Sequence, residues 1–139
     1  MICNPIIIAA GEPNSIFLEI FFKSIKTNKF KSPLIIISSK KLLLEQMKKL
    51  GFSFKINTID KEFKEFKKLN NDKINLIDVN YEFNKCFDKI SDNSNNYIKE
   101  TFNVALDILN KNNFSKFING PISKKHFLKG KSLGITEYL

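Results

Sequence analysis

The run Pro5-Ile6-Ile7-Ile8-Ala9-Ala10-Gly11 is short, apolar and unbroken until glycine closes it. Such a run suits a strand buried on both faces, the environment of a parallel sheet covered by helices. Pro33-Leu34-Ile35-Ile36-Ile37 repeats the pattern. Between them Ile16, Ile20, Phe21 and Ile25 recur at helical spacing, with Ser15 placed to cap the helix start and Glu19 in its early turns. After the second run, Ser38-Ser39 lead into Lys40 to Leu50, where Leu43, Leu44, Met47 and Leu50 form a stripe ending at Gly51. The chain therefore opens β-α-β-α.

Further along, Phe52, Phe54 and Ile56 alternate with polar residues, which predicts a strand near a sheet edge. Lys61 to Leu69 carries Phe63, Phe66 and Leu69 at the spacing of a short amphipathic helix, and Ile74 to Val79 is another strand. Asn80 to Asn96 is polar and Asn-rich, predicting an exposed connection of a length that is often functional or mobile. Asn96 to Asn110 is the clearest helix, with Ile98, Phe102, Ala105, Leu106 and Leu109 on one side. Phe114 to Asn119 forms the strand it returns to; Gly120-Pro121 breaks that strand, and Ser123 can cap a short helix over Lys124 to Leu128. Alternating strands and helices predict an α/β fold, a mainly parallel sheet flanked by helices, in one unit over residues 1–139.

Composition narrows the function. With 139 residues, 42% hydrophobic and 27% charged, the chain fits one compact domain. No apolar run approaches the roughly 20 residues of a membrane span, and the start lacks the features of a secretory signal, so a cytoplasmic protein without a membrane partner is expected. Cys3 and Cys86 have neither disulfide-scaffold nor zinc spacing and are expected to be buried free thiols. All 23 basic residues behind the +9 charge are lysine. Sequence-reading proteins use arginine forks and single-strand binders interleave exposed aromatics with cations, so no nucleic-acid partner is expected. An excess of Lys, Asn, Ile and Phe matches A/T-rich codon usage, which raises the charge without a polyanionic ligand.

In a parallel sheet, ligands collect beyond the carboxyl ends of the strands. Gly11-Glu12-Pro13, the Asn80 region and Gly120-Pro121-Ile122-Ser123-Lys124 all belong there. The last offers backbone N–H groups, a helix start and the Lys124 cation to an anion such as phosphate; it reads equally as a turn followed by a cap. Glu12 is either a strut for a ligand or loop, or a solvated carboxylate. No GxGxxG or GxxxxGK[ST] loop is present. His126, the single histidine, has no metal-ligand companions and is expected at a partly exposed position.

Taken in order, Ala10-Gly11-Glu12-Pro13, Asn119-Gly120-Pro121-Ile122-Ser123-Lys124 and Gly134-Ile135-Thr136-Glu137-Tyr138-Leu139 resemble the 4-hydroxythreonine-4-phosphate dehydrogenases of vitamin B6 biosynthesis. The resemblance spans the chain and implies the amino-terminal part of a two-lobed fold of the isocitrate and isopropylmalate dehydrogenase type. It implies NAD- and divalent-metal-dependent (Zn, Mg or Co) oxidation of a phosphorylated hydroxy-amino acid, in a homodimer whose active site draws on both subunits. Family members are more than twice as long. By matching position the resemblance carries over Thr136 as a substrate contact, with Gly120, Lys124 and Glu137 in the cleft wall. It carries over no metal ligand, cofactor site or catalytic group.

Two stretches depart from the family pattern. Asn14-Ser15-Ile16-Phe17-Leu18 stands where the family continues Ala-Gly-Ile-Gly-Pro, and Ile135 replaces the histidine of Gly-His-Thr-Glu. The family's metal-binding histidines and most of its cofactor site fall beyond residue 139, so the chain alone is expected to be inactive. Its partner is then a second copy or the carboxyl-terminal half, and an apolar face is expected where later elements pack. The alternatives are a non-catalytic module that binds a phosphorylated metabolite or serves assembly, and a basic nucleic-acid-binding domain supported only by charge.

Overall fold

Four parallel pairings join five strands in the order β3-β4-β2-β1-β5 in a computed structural model that describes residues 3–128. The strands are β1 (Ile6–Ala9), β2 (Leu34–Ser38), β3 (Ile56–Thr58), β4 (Ile74–Asp78) and β5 (Phe117–Asn119). The helices are α1 (Phe17–Thr27), α2 (Lys40–Leu50) and α3 (Asn95–Asn112). The α/β fold with a parallel sheet and flanking helices is thus as expected. Register sets Ile8 beside Ile36 and Ile118, and Ile37 beside Ile77, so branched side chains of neighbouring strands lie in rows.

Right-handed crossovers from β1 to β2 and from β2 to β3 put α1 and α2 on one face; the return from β4 to β5 puts α3 on the other. β2 is buried along its whole length because both layers cover it. The edge position of β3 agrees with its alternating pattern, but the strand starts only at Ile56. Phe52 and Phe54 precede it and pack their rings on Phe22 at 5.5 and 6.2 Å.

Several helical faces differ from the expected ones. On α1 the buried residues are Leu18, Phe21 and Phe22, whereas Ile16 and Ile20 are 67% and 50% exposed. The helix sits over β1 and β2 and leaves the β5 side open, so one flank of its wide apolar arc has nothing to cover. On α2, Leu42, Leu43, Gln46 and Met47 face inward and Leu44 is exposed. The buried arc of α3 is wider than its leucine stripe, taking in Tyr97, Thr101, Val104 and Ile108 while Leu106 and Leu109 are half-buried. The amphipathic segment before β4 is only a 3-10 turn, Phe66–Lys68, anchored by the buried Phe66. Cys86 is a buried free thiol as expected, but Cys3 is half-buried near the amino terminus.

The re-oriented α1 face gives a direct test. Leu18→Ala should cost about 3 kcal/mol by urea denaturation, while Ile20→Lys should stay within about 0.5 kcal/mol of the parent. Equal losses at the two sites would contradict the orientation of α1.

Candidate functional site

β1 and β5 end side by side, and their exits touch. Gly120 N–H donates to the Ala9 carbonyl at 2.7 Å, and Glu12 N–H donates to the Pro121 carbonyl at 2.8 Å. Gly11 has φ +75°, and a Cβ there would lie 2.6 Å from the Pro121 oxygen. A Cβ on Gly120 would overlap the Ala10 carbonyl. Residues 11–13 and 119–124 therefore share one rim at the carboxyl end of the sheet. Gly120 itself is buried, backbone against backbone, and Lys124 is exposed at the start of a π-helical turn, Lys124–Leu128. Thr136, Glu137 and Ile135, with the rest of 134–139, lie outside the described residues.

Glu12 is not a solvated carboxylate. Only 3% exposed, it accepts Asn14 N–H at 3.1 Å and the Ser94 hydroxyl at 3.1 Å. Ser15 Oγ donates to the Glu12 carbonyl and accepts Phe17 N–H, so this serine joins the turn to the start of α1. Ser94 belongs to the 80–96 connection, expected to be exposed and of a length that is often functional or mobile. Most of its residues are exposed as expected, while a few anchor it to the sheet. Tyr81, Cys86 and Ser94 are buried, Asp88 N–H donates to Asn14 Oδ1 at 3.0 Å, and Tyr81 packs on Tyr97 at 4.8 Å. Burial pushes the Tyr81 phenol up, partly offset by its hydrogen bond with Asn14. Beneath the connection, fully buried Gln46 donates through Nε2 to the Pro13 carbonyl at 2.9 Å and the Cys86 carbonyl at 2.6 Å.

The connections after β2 and β4 leave toward opposite faces, which makes the space between these strands the usual ligand crevice of such a sheet. Here a side chain occupies it. Tyr97 Oη accepts Ser39 N–H at 2.9 Å and lies 3.1 Å from Ser38 Oγ, while Asp78 Oδ1 accepts Lys40 N–H at 2.8 Å. Burial pushes the Tyr97 phenol up to about 12. Ser39 caps α2 by accepting Leu42 N–H. The β1–β5 exit lies to one side of this gap, and on the other a cavity of about 480 Å³ opens beyond β3 and β4, lined by Thr58, Asp60, Lys61, Asp78, Asn80 and Glu100 among others.

A strap holds that exit. Ser123 Oγ accepts His126 N–H at 3.2 Å, a cap as the sequence predicts, and so occupies one donor that an anion could otherwise use. His126 Nδ1 is 3.0 Å from Asp92 Oδ1, and Asn95 Nδ2 donates to the His126 carbonyl at 2.8 Å. His126 is half-buried, in keeping with the partly exposed position expected of it. Among the described residues no group of three or more His, Cys, Asp or Glu side chains could hold a metal ion. The divalent metal implied by the resemblance does not fit these residues.

Sequence reasoning missed Tyr97, Gln46, Ser94 and Asp92. Gln46 was the findable one, a polar residue inside the apolar stripe of α2; the others lie in polar segments that look alike until folded.

A family model described as pyridoxal phosphate biosynthetic protein PdxA matches residues 29–139. No curated protein matches the sequence. Among solved structures the chain is similar to a 4-hydroxythreonine-4-phosphate dehydrogenase from Burkholderia phymatum, with TM-score 0.77 and 19% identity over 96% of this chain and 42% of that one. It is also similar to a structure from Salmonella typhimurium provisionally given the same enzyme name, with TM-score 0.74 and 17% identity over 97% of this chain and 43% of that one. At these identities the likeness shows the fold. The chain spans less than half the length of either structure.

Two measurements test the site. Gly120→Ala should lower stability by about 3 kcal/mol, because the overlap falls on backbone, whereas Gly51→Ala, in open space at φ +80°, should cost only about 1 kcal/mol. A raised Tyr97 value means that folding favours the neutral phenol. Its contribution is complete below pH 10 and is lost as pH rises from 10 toward 12, by about 1.4 kcal/mol per unit. Denaturation curves between pH 9 and 11 should show that slope flattened in Tyr97→Phe, with Tyr81 present in both proteins; identical slopes would remove Tyr97 from the crevice.

Proposed function

Because the chain belongs to the PdxA family of pyridoxal phosphate biosynthetic proteins, we propose that residues 1–139 form the amino-terminal α/β unit of a 4-hydroxythreonine-4-phosphate dehydrogenase. The unit holds the phosphorylated substrate at the β1–β5 exit. The carrying observation is the contact of Gly11 with Pro121 and of Gly120 with Ala10, which brings both glycine turns and Lys124 to one rim.

Lys124 supplies the charge for the phosphate at close range or by steering. Gly120 leaves the strand exit without a side chain, and the family resemblance assigns Thr136 and Glu137 to the substrate. The family resemblance implies that NAD would supply hydride acceptance and that a divalent metal would support the reaction. Since the described residues offer no metal cluster and the chain has no dinucleotide fingerprint, this chain's own part is binding and orientation. Both groups are completed by a carboxyl-terminal half or a second subunit of a cytoplasmic homodimer, and the chain alone does not turn over. No described helix is long and apolar enough to cross a membrane.

Ile135 favours a second reading, a module that keeps the rim but has lost catalysis, because the polar contact made by the family's histidine is missing. Two assays separate the readings. With 4-hydroxythreonine 4-phosphate, NAD and a divalent metal, the 139-residue chain should form no NADH; turnover by it alone would refute the division of labour. Amide shifts of residues 11–13 and 119–124 should move on adding the phosphorylated substrate, and Lys124→Ala should weaken that binding roughly tenfold. Shifts scattered elsewhere would reject the rim. Binding without NADH formation after the carboxyl-terminal half is supplied would favour the module.

A further inference from the structure

A cavity of about 480 Å³ lies against α3 at the carboxyl ends of β3 and β4, and its lining includes none of residues 11–13 or 119–124. Its floor is apolar. Ile59, Ile77, Val79 and Val104 all border it and are all buried. Ile59 continues the line of β3 by donating its N–H to the Leu76 carbonyl at 2.8 Å, and Val104 stands one turn after Glu100, the spacing that puts both on one face of α3.

Charge sets the mouth of the cavity apart from the rest of the chain. Asp60, Asp78 and Glu100 line it against a single cation, Lys61, although lysine outnumbers acid 23 to 14 overall. None of the four has an ion-pair partner among the described residues. Asp60 and Asp78 are each oriented through Oδ1, which accepts a backbone N–H at 2.8 Å, from Glu62 and from Lys40. Carboxylates above a low-dielectric floor repel phosphate and draw in cations. The three are too dispersed for one bare ion, since no group of three or more His, Cys, Asp or Glu side chains among the described residues could hold a metal. A ligand with separated ammonium groups and an apolar stem between them meets both features. Its methylenes leave water on the floor, and its charged ends stay at the wet mouth.

We propose that the β3–β4 cavity binds a small aliphatic diamine. Asp60, Asp78 and Glu100 hold its ammonium groups, and Ile59, Ile77, Val79 and Val104 cover its stem. The site is separate from the β1–β5 rim and stands or falls independently of the dehydrogenase reading. Lys61 opposes such a ligand, so removing its charge should raise affinity.

Diaminopentane titrated into the 139-residue chain at low ionic strength should give saturable amide shifts at residues 58–61, 77–80 and 100–104, with residues 11–13 and 119–124 unmoved. Pentylamine, one ammonium short, should bind about fivefold more weakly. Pentanediol, with the same stem and no charge, should not bind. Glu100→Gln should weaken diaminopentane about threefold and Lys61→Ala should tighten it about twofold, both with the thermal midpoint unchanged. A folding fault does not mimic a gain in affinity, so Lys61→Ala decides the matter if Glu100→Gln is destabilised. Absence of saturable shifts, shifts centred on the β1–β5 rim instead, equal binding of pentylamine or pentanediol, equal shifts with magnesium chloride, or weaker binding by Lys61→Ala would each overturn the proposal.

Discussion

The contact between the β1 and β5 exits governs the geometry of this molecule. β5 is last in the sheet and reaches β1 only after α3 has crossed over β2. At the end of that path two backbones meet with no side chain between them, Gly120 against Ala10 and Gly11 against Pro121. A methyl group at either glycine would force the strand ends apart. Hydrogen bonds from Gly120 to Ala9 and from Glu12 to Pro121 lock the same junction, so the turn that leads into α1 and the turn that leads toward Lys124 are fixed relative to each other. Any ligand gripped by both turns depends on this one approach.

Buried polar groups then secure what the strands leave open. Glu12 takes hydrogen bonds from Asn14 and Ser94, Gln46 ties Pro13 to Cys86, and Tyr97 seals the gap between β2 and β4. Each crosses between segments distant in sequence; Gln46 does so through Nε2 alone, its buried Oε1 having no hydrogen-bond partner among the described residues. A long polar connection is thereby turned into a cover for the sheet's carboxyl end. The chain's charge plays little part in this, since the described lysine ion pairs are exposed at the surface.

Much of the fold was legible in the amino-acid order. The isoleucine runs of β1 and β2 can be satisfied only by burial on both faces, and the helical spacing between strands demands parallel crossovers. Glycine and proline at 11–13 and 120–121 marked the turns. Helix faces were less legible. Ile16 and Ile20 look like core by spacing, yet the side of α1 to be buried depends on which strands lie beneath it, and β5 lies too far out to be covered.

The sequence by itself determined the α/β alternation, the turn positions and the family likeness, because each rests on local periodicity or on a short ordered motif. Only the tertiary structure decided that Glu12 is a buried strut, that Tyr97 fills the central crevice, that residues 80–96 cover the rim, and that one flank of α1 stays open. Those outcomes are set by partners dozens of residues away, Ser94 for Glu12, Ser39 for Tyr97 and Asn14 for Asp88. Burial and hydrogen bonding are properties of such pairs, and a polar residue carries no local mark of the partner it will meet.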